Sequence, residues 1–289
     1  MDATATYSAW PLAALMLMLG AGGAALLAQP WWTRRRHQRL RTRPFPRAWA
    51  RILQRRVPLA QRLPPPLRQR LLGLIQIFIA DKPFIGCAGQ AIDDEVRVTI
   101  AAQACLLLLG QPGGACYPQL RQVLVYPGAF VVPRPQLLPG GVVSEQPQTL
   151  AGESWAQGQV ILAWSQVLAG AADPDDGHNV VLHEFAHQID QDGGEADGRP
   201  WQHGHASRRH WDAVTQAALA RLRETPSDTL DAYGASDPAE FFAVATEAFF
   251  ERPHAVADEA PELYAALARL YRMDPRDFTR ARDAVPSQR

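Results

Sequence analysis

The chain has 289 residues, of which 47% are hydrophobic and 20% charged, as in a globular protein able to bury a core. Its formal net charge is zero, but every charged residue from Arg34 to Arg70 is an arginine, whereas acids outnumber bases from Asp81 onward. The three cysteines, Cys87, Cys105 and Cys116, form no C-x-x-C pair, so the sequence indicates neither a disulfide framework nor a thiolate zinc site.

An uncharged segment near the N-terminus, Trp10 to Leu27, is just long enough to cross a bilayer. Trp31 and Trp32 follow, where aromatic side chains favour the membrane interface, and the arginine cluster begins at Arg34. By the positive-inside rule the N-terminus then lies outside and everything after the cluster lies in the cytoplasm.

Two alternatives compete with this anchor. A cleaved signal peptide normally carries positive charge before its apolar run, but residues 1–8 hold only Asp2. A buried core helix is disfavoured by Pro11 and by the glycines of the segment. We therefore predict that residues 1–33 anchor a cytoplasmic domain to the inner membrane, with membrane contact through residues 10–32.

The next segment, residues 34–66, is rich in arginine and interrupted by prolines, which predicts a linker with short helical pieces. Its basic character is compatible with nucleic-acid binding, but it directly follows the predicted anchor, where arginines meet anionic lipid head groups. No direct nucleic-acid partner is expected.

We expect a globular domain over residues 67–289, with an N-terminal part (67–150) and a catalytic part (151–289). A strand at the edge of its sheet, beside a catalytic cleft, would bind an extended peptide by strand addition. The predicted elements are helices over Leu67–Ala80, Asp94–Leu108 and Ser207–Glu224, strands over Gln122–Tyr126, Phe130–Val132 and Gln159–Trp164, and a helix that starts at Asp173-Pro174 and ends at Gly193-Gly194.

The apolar stretch Val180 to Asp190 carries the motif H-E-x-x-H. His183 and His187 are four residues apart, so they share one face of a helix and can hold one Zn²⁺. Glu184 is then placed to act as general base on a water molecule. Asp190, one turn after His187, is a candidate to orient a ligand imidazole by a hydrogen bond.

A third ligand is expected from a later apolar helix, which Asp237 caps and Pro238 begins. Glu240 and Glu247 are seven residues apart and face the same way, and a buried carboxylate needs a partner such as zinc. Glu240 also fits a capping box, in which it would reach back to the cap. The spacing alone leaves the choice between the two glutamates open.

Further histidines follow the motif but are not predicted as ligands. The metzincin pattern places a third histidine six residues after His187, and Gly193 stands there. We predict that His203, His205 and His210 are loop and helix-surface residues.

Several segments resemble the Mlc titration factor A family of zinc peptidases, over roughly Leu67 to Phe278. They are H-E-F-A-H-Q-I-D, D-A-Y-G-A-S-D-P-A-E-F-F-A-V-A-T-E-A-F-F, Phe84–Gly89 and Ile100–Cys105. The catalytic core of that family resembles the protease domain of anthrax lethal factor. The resemblance implies an α+β, zincin-like metallopeptidase domain with a small mixed sheet. In this chain a helical region and the predicted N-terminal transmembrane helix precede that domain.

The resemblance also implies roles for particular residues. It makes Glu240 the third ligand, leaves Glu247 to hydrogen-bond a ligand, and gives Tyr233 a part in catalysis. The alternative for Tyr233 is a packed tyrosine in a turn.

The function implied is that of an aminopeptidase-like hydrolase with one Zn²⁺ per chain, acting on peptides or proteins. Members of the family are cytoplasmic partners of Mlc, a glucose-responsive transcription repressor. The alternative is an interaction protein that sequesters such a regulator, with the zinc site secondary. The N-terminal apolar segment departs from the soluble members.

Overall fold

The computed structural model describes residues 10–113, 116–138, 142–150, 152–155, 158–192, 194–200 and 204–279. The chain forms two compact units, Met1–Arg43 and Pro44–Arg289. The terminal residues 1–9 and 280–289 of the predicted anchor and catalytic domain lie outside the described residues.

The first unit consists of helix α1, Trp10–Thr42. Among the described residues, one helical stretch, Ala14–Thr42, is long and apolar enough to cross a membrane, and none of its apolar window is buried. Large apolar side chains such as Leu17 and Leu27 are 75% and 85% exposed. An apolar surface of this kind requires a covering other than water.

The second unit contains ten α-helices, two short 3₁₀ helices and six strands in its described residues. In chain order they are α2 (Arg47–Arg56), α3 (Pro58–Arg62), α4 (Pro65–Asp81), β1 (Phe84–Gly86), α5 (Asp94–Leu106), β2 (Gln122–Tyr126), β3 (Phe130–Leu138), β4 (Val142–Leu150), β5 (Gly152–Trp155), β6 (Gln159–Ala163), α6 (Trp164–Ala172), α7 (Val180–Gln191), α8 (His205–Glu224), η1 (Ala232–Ala235), α9 (Pro238–Glu251), α10 (Pro253–Glu259), α11 (Pro261–Tyr271) and η2 (Pro275–Asp277).

The segment expected as a linker is divided between the two units. Its first residues continue α1, whereas α2 and α3 pack against α5 and bury Leu53 and Leu59. Arg55 and Arg56 remain partly exposed and form salt bridges with Glu95 on α5. The arginines of this part therefore lie on the outside of a packed helical layer.

A four-stranded sheet has the order β1-β2-β6-β5. The first three strands are parallel, with Val123 opposite Val160, and β5 joins the edge in the antiparallel direction. Strands β3 and β4 form a separate antiparallel hairpin. β3 runs to Leu138, further than predicted, because it pairs along its whole length with β4.

The helix that carries the H-E-x-x-H motif starts later than predicted. Asn179 caps α7, because its side chain accepts the N–H groups of Val181 and Leu182. Asp173 instead follows the last residue of α6, and its side chain accepts the N–H of Asp175 in the connecting turn. The prediction that Asp173-Pro174 begins this helix was wrong.

Helix α7 lies at the centre of the second unit, packed against α5, α6, α9, β5 and β6. Its Phe185 joins an aromatic cluster with Phe78 and Tyr117, at ring-centroid distances of 5.7 and 4.8 Å. All three rings are buried. This apolar side fixes the rotation of α7 and turns its histidines toward α9.

Candidate metal centre

Three side chains from α7 and α9 converge. Oε2 of Glu240 lies 2.9 Å from Nε2 of His183 and 3.5 Å from Nε2 of His187. A tetrahedral ion with bonds of about 2.1 Å separates its ligand atoms by about 3.4 Å. The spacing and the two-nitrogen, one-oxygen donor set therefore fit an ion of this kind. Within the described part of the chain, no other group of three metal-binding side chains comes this close together.

Glu240 reaches the histidines because of how α9 begins. Asp237 accepts the N–H groups of Ala239 and Glu240, and Pro238 occupies the first position of the helix. The carboxylate of Glu240 turns to His183 instead of back to the cap, so the capping-box alternative does not describe it. Burial alone raises its pKa, but hydrogen bonds from both histidines outweigh burial and hold the pKa well below its usual range.

Glu247 contacts the same histidine from the other side. Its Oε1 lies 2.8 Å from Nδ1 of His183, and its Oε2 accepts the backbone N–H of Asn179. Burial lowers the pKa of His183, but the two carboxylates outweigh burial and raise the pKa well above its ordinary value. The pocket thus strongly favours a positive charge at this position.

Glu184 has a different environment. It is only 5% exposed, and its Oε2 has no hydrogen-bond partner among the described residues. Burial raises the pKa of Glu184 to about 7. A carboxylate with this pKa can both accept and release a proton near neutral pH.

Asp190 does not make the hydrogen bond expected from it. Its Oδ2 accepts the backbone N–H of Gly198 at 2.6 Å, because the loop after α7 returns to it. Its Oδ1 and Nδ1 of His187 are both buried without a partner in the described chain. Burial raises the pKa of Asp190 to about 6.

Tyr233 lies near His183. It belongs to η1, whose first N–H groups are capped by Asp231, and its side chain is 53% exposed. The centroid of its ring is 6.1 Å from that of His183. Tyr233 is thus a half-exposed neighbour of one of the converging histidines and is not a buried packing residue.

The remaining histidines stand apart from this group. His205 and His210 are exposed on α8, away from the three converging side chains. His203 lies outside the described residues.

Two residues that support the site, Asn179 and Gly198, were not predicted from the sequence. Asn179 caps α7, and its side-chain amide donates to Glu251 at 2.9 Å and to the carbonyl of Gly170 at 3.2 Å. An asparagine directly before an apolar helical run is a cap signal and could have been read as one. Gly198 carries no comparable signal in the sequence, because its role depends on its contacts with helices that are distant along the chain.

Comparisons with known proteins place most of the chain in one family. The family model for glucose-regulated metallo-peptidase M90 matches residues 31–272. The protein named "Uncharacterized protein slr2042" of Synechocystis sp. is 39% identical over 270 residues, covering 92% of this chain and 98% of its own. Proteins named "Mlc titration factor A" are 32% identical in Serratia proteamaculans and 33% in Salmonella agona, each over 76% of this chain and covering 85% and 84% of their own.

Proposed function

The chain belongs to the M90 family of glucose-regulated metallopeptidases, and we propose that it is a zinc-dependent, aminopeptidase-like enzyme that hydrolyses peptide bonds. The observation that carries the proposal is the convergence of His183, His187 and Glu240 at ligand spacing. Two histidines and a glutamate with an open fourth position form a donor set typical of catalytic zinc.

The ligand roles follow from these contacts. His183, His187 and Glu240 would hold one Zn²⁺, and Glu247 would orient the ring of His183 through its Nδ1. A bound zinc ion supplies Lewis acidity, which lowers the pKa of a water molecule and polarises the scissile carbonyl.

Glu184 is the proposed general base. It is one residue from His183 on α7 and buried, and burial raises its pKa to about 7 in the metal-free protein. It takes a proton from the attacking water and passes it to the leaving amine, a pair of transfers that needs a pKa near the working pH.

Tyr233 is proposed to stabilise the oxyanion. The support is that its side chain is half exposed and its ring centroid lies 6.1 Å from that of His183. A phenol there donates a hydrogen bond to the oxygen on which negative charge develops in the transition state.

A second candidate function has its own support, the printed name "Mlc titration factor A" of two relatives. Under this alternative the protein sequesters a sugar-responsive repressor of the Mlc type, and the metal site is secondary. Sequestration of a repressor requires no hydrolysis, so an inactive Glu184→Gln variant that still binds such a repressor would separate the two functions.

The location is also a proposal. We infer that α1 tethers a cytoplasmic catalytic domain to the inner membrane, supported by its length and apolar exposed surface and by the arginines that follow. The full chain should then stay with membranes after a high-salt wash. Release by salt would mean that the arginines alone attach it.

The enzyme proposal is tested on the detergent-solubilised full chain. Metal analysis should give about one Zn²⁺ per chain, and a panel of peptides should reveal hydrolysis that chelation stops. His187→Ala should lose both zinc and activity. Full zinc retention in His187→Ala, or peptide hydrolysis that survives removal of all metal, would refute the proposal.

A further inference from the structure

Gly198 joins three helices at one point. Its N–H donates to Asp190 of α7 at 2.6 Å, and its carbonyl accepts the indole N–H of Trp211 of α8 at 2.9 Å. Both hydrogen bonds are buried, and Asp190 and Trp211 are 0% and 3% exposed. Both polar groups of the Gly198 backbone are thus fixed by side chains from different helices.

The third helix is α9, which Gly198 touches at its first residue. A β-carbon at position 198 would lie 2.3 Å from the carbonyl oxygen of Pro238 and 2.7 Å from its carbonyl carbon. The φ angle of Gly198 is +76°, a conformation that favours glycine. No other residue allows the loop and the start of α9 to approach this closely.

Pro238 and Glu240 belong to the same first turn of α9, so the position of one sets the position of the other. Asp190 belongs to the helix that carries His183 and His187. The chain of contacts therefore runs from the histidine helix through Gly198 to the turn that presents Glu240. Trp211 adds a second route, because its ring packs edge to face on Phe242 of α9 at 5.7 Å.

We propose that Gly198, held by Asp190 and Trp211, is a positioning residue that sets how closely Glu240 approaches His183 and His187. The inference rests on the proposed role of Glu240 as a metal ligand. It gives Asp190 a function other than the one expected from its place after the motif: it holds the loop that aligns the third ligand.

The close approach of Gly198 to Pro238 couples the loop to the start of α9. At the opposite end of the helix pair, Asn179 connects the start of α7 with Glu247 and Glu251. The two ends are thus fixed separately, and disturbing Gly198 should displace Glu240 while leaving the bond from Glu247 to His183 in place.

The first test is the zinc dissociation constant of Gly198→Ala, measured by chelator competition on the full chain. Disturbing the groups that orient metal ligands typically weakens metal binding 10–100-fold, and we expect a loss of about that size. Gly204→Ala is the matched control, because Gly204 has a φ of +84° but nothing within 4 Å of an added β-carbon. It should change the zinc dissociation constant less than about threefold. Equal losses in both variants would overturn the proposal.

The second test asks whether Gly198 acts through Glu240. In a Glu240→Ala background, Gly198→Ala should no longer change the residual zinc affinity, since the ligand that it positions is gone. The same loss in both backgrounds would mean that Gly198 only stabilises the fold. Wild-type protein that binds no zinc would instead refute the proposed metal site itself.

Two milder substitutions keep the test open if Gly198→Ala does not fold. Trp211→Phe keeps a ring against Phe242 but removes the N–H donor, and should weaken zinc binding about threefold to tenfold, the equivalent of one hydrogen bond. Asp190→Ala should weaken zinc binding at least as much, whereas Asp190→Asn retains an acceptor oxygen and should restore most of the affinity. Wild-type zinc affinity in both Trp211→Phe and Asp190→Ala would overturn the proposal.

Discussion

The two helices that line the candidate metal centre contribute glutamates with opposite environments. Glu184 on α7 is buried, has an oxygen with no partner in the described chain, and has its pKa raised to about 7. Glu240 on α9 is partly exposed, contacts both histidines, and has its pKa held well below the usual range. The pocket thus keeps one carboxylate charged and lets the other exchange a proton near neutral pH.

This difference separates the chemical roles of the two residues. When the environment moves the pKa values of neighbouring carboxylates apart, the group with the raised pKa suits proton transfer and the anionic one suits electrostatic binding. The substitutions below either abolish this contrast or measure how large it is.

The largest effect is expected from Glu240→Ala. Removal of the anionic partner should abolish tight zinc binding and, with it, hydrolysis. Glu247→Ala is the matched variant on the same helix face and should weaken zinc binding about 10–100-fold, because it removes the bond that orients His183 and leaves the three proposed ligands in place. Zinc content after desalting and chelator competition measure both. If only Glu247→Ala loses the metal, Glu240 is not the ligand.

Glu184→Gln addresses the other member of the pair. It keeps the shape of the side chain and removes its ability to accept a proton, so kcat should fall by about 10²–10⁴. Zinc content should remain that of the wild type, since Glu184 is not proposed as a ligand. Steady-state kinetics and metal analysis on the same preparation measure the two outcomes. A folded Glu184→Gln protein without zinc would contradict the division of roles.

Tyr233→Phe tests a group that neither helix supplies. Loss of one hydrogen-bond donor to an oxyanion typically lowers kcat by about 10²–10³, with KM little changed because the ground-state carbonyl is bound less strongly. The variant should keep its zinc. Kinetics on one cleavable peptide decide the matter, and a wild-type kcat in the zinc-loaded variant would leave Tyr233 without a catalytic role.

The smallest predicted effect concerns stability in the absence of metal. The pKa of Glu184 is raised from 4.5 in the unfolded chain to about 7 in the folded, zinc-free protein. Between these two values the unfolded chain ionises at Glu184 but the folded protein does not, so the free energy of unfolding falls as the pH rises. Glu184→Gln removes this loss. Its free energy of unfolding should match that of the wild type near pH 4 and exceed it by up to about 3 kcal/mol at pH 8. Denaturant titrations at both pH values measure the difference, and a pH-independent offset would contradict it.

Much of the site could be predicted because its determinants are local. The four-residue spacing of His183 and His187 placed both on one face of α7, and Asp237-Pro238 marked the start of α9. The spacing of Glu240 and Glu247 correctly put both on one side, and both contact His183 in the structure. The spacing could not show that Glu240 contacts Nε2 of His183 and Glu247 contacts Nδ1, because this depends on how α9 is placed against α7.

Other features depended on distant parts of the chain. Asp190 is placed correctly to reach a histidine by sequence spacing, yet it binds the returning loop at Gly198. In the same way, the prolines and arginines of residues 47–62 suggested a linker, whereas Leu53 and Leu59 find an apolar partner in α5. The local sequence pattern does not show which distant part of the chain a segment will pack against.

The three carboxylates of α9 also limit which insertions and deletions the chain can tolerate. Glu240, Glu247 and Glu251 contact α7 or its cap, and intervals of seven and four residues keep them on one side of a helix. Inserting or deleting a single codon between them would rotate one carboxylate by about 100° and break the register with α7. We therefore expect the number of residues from Glu240 to Glu251 to stay fixed among relatives, and the buried side chains between them, such as Phe241 and Phe249, to tolerate little change in size.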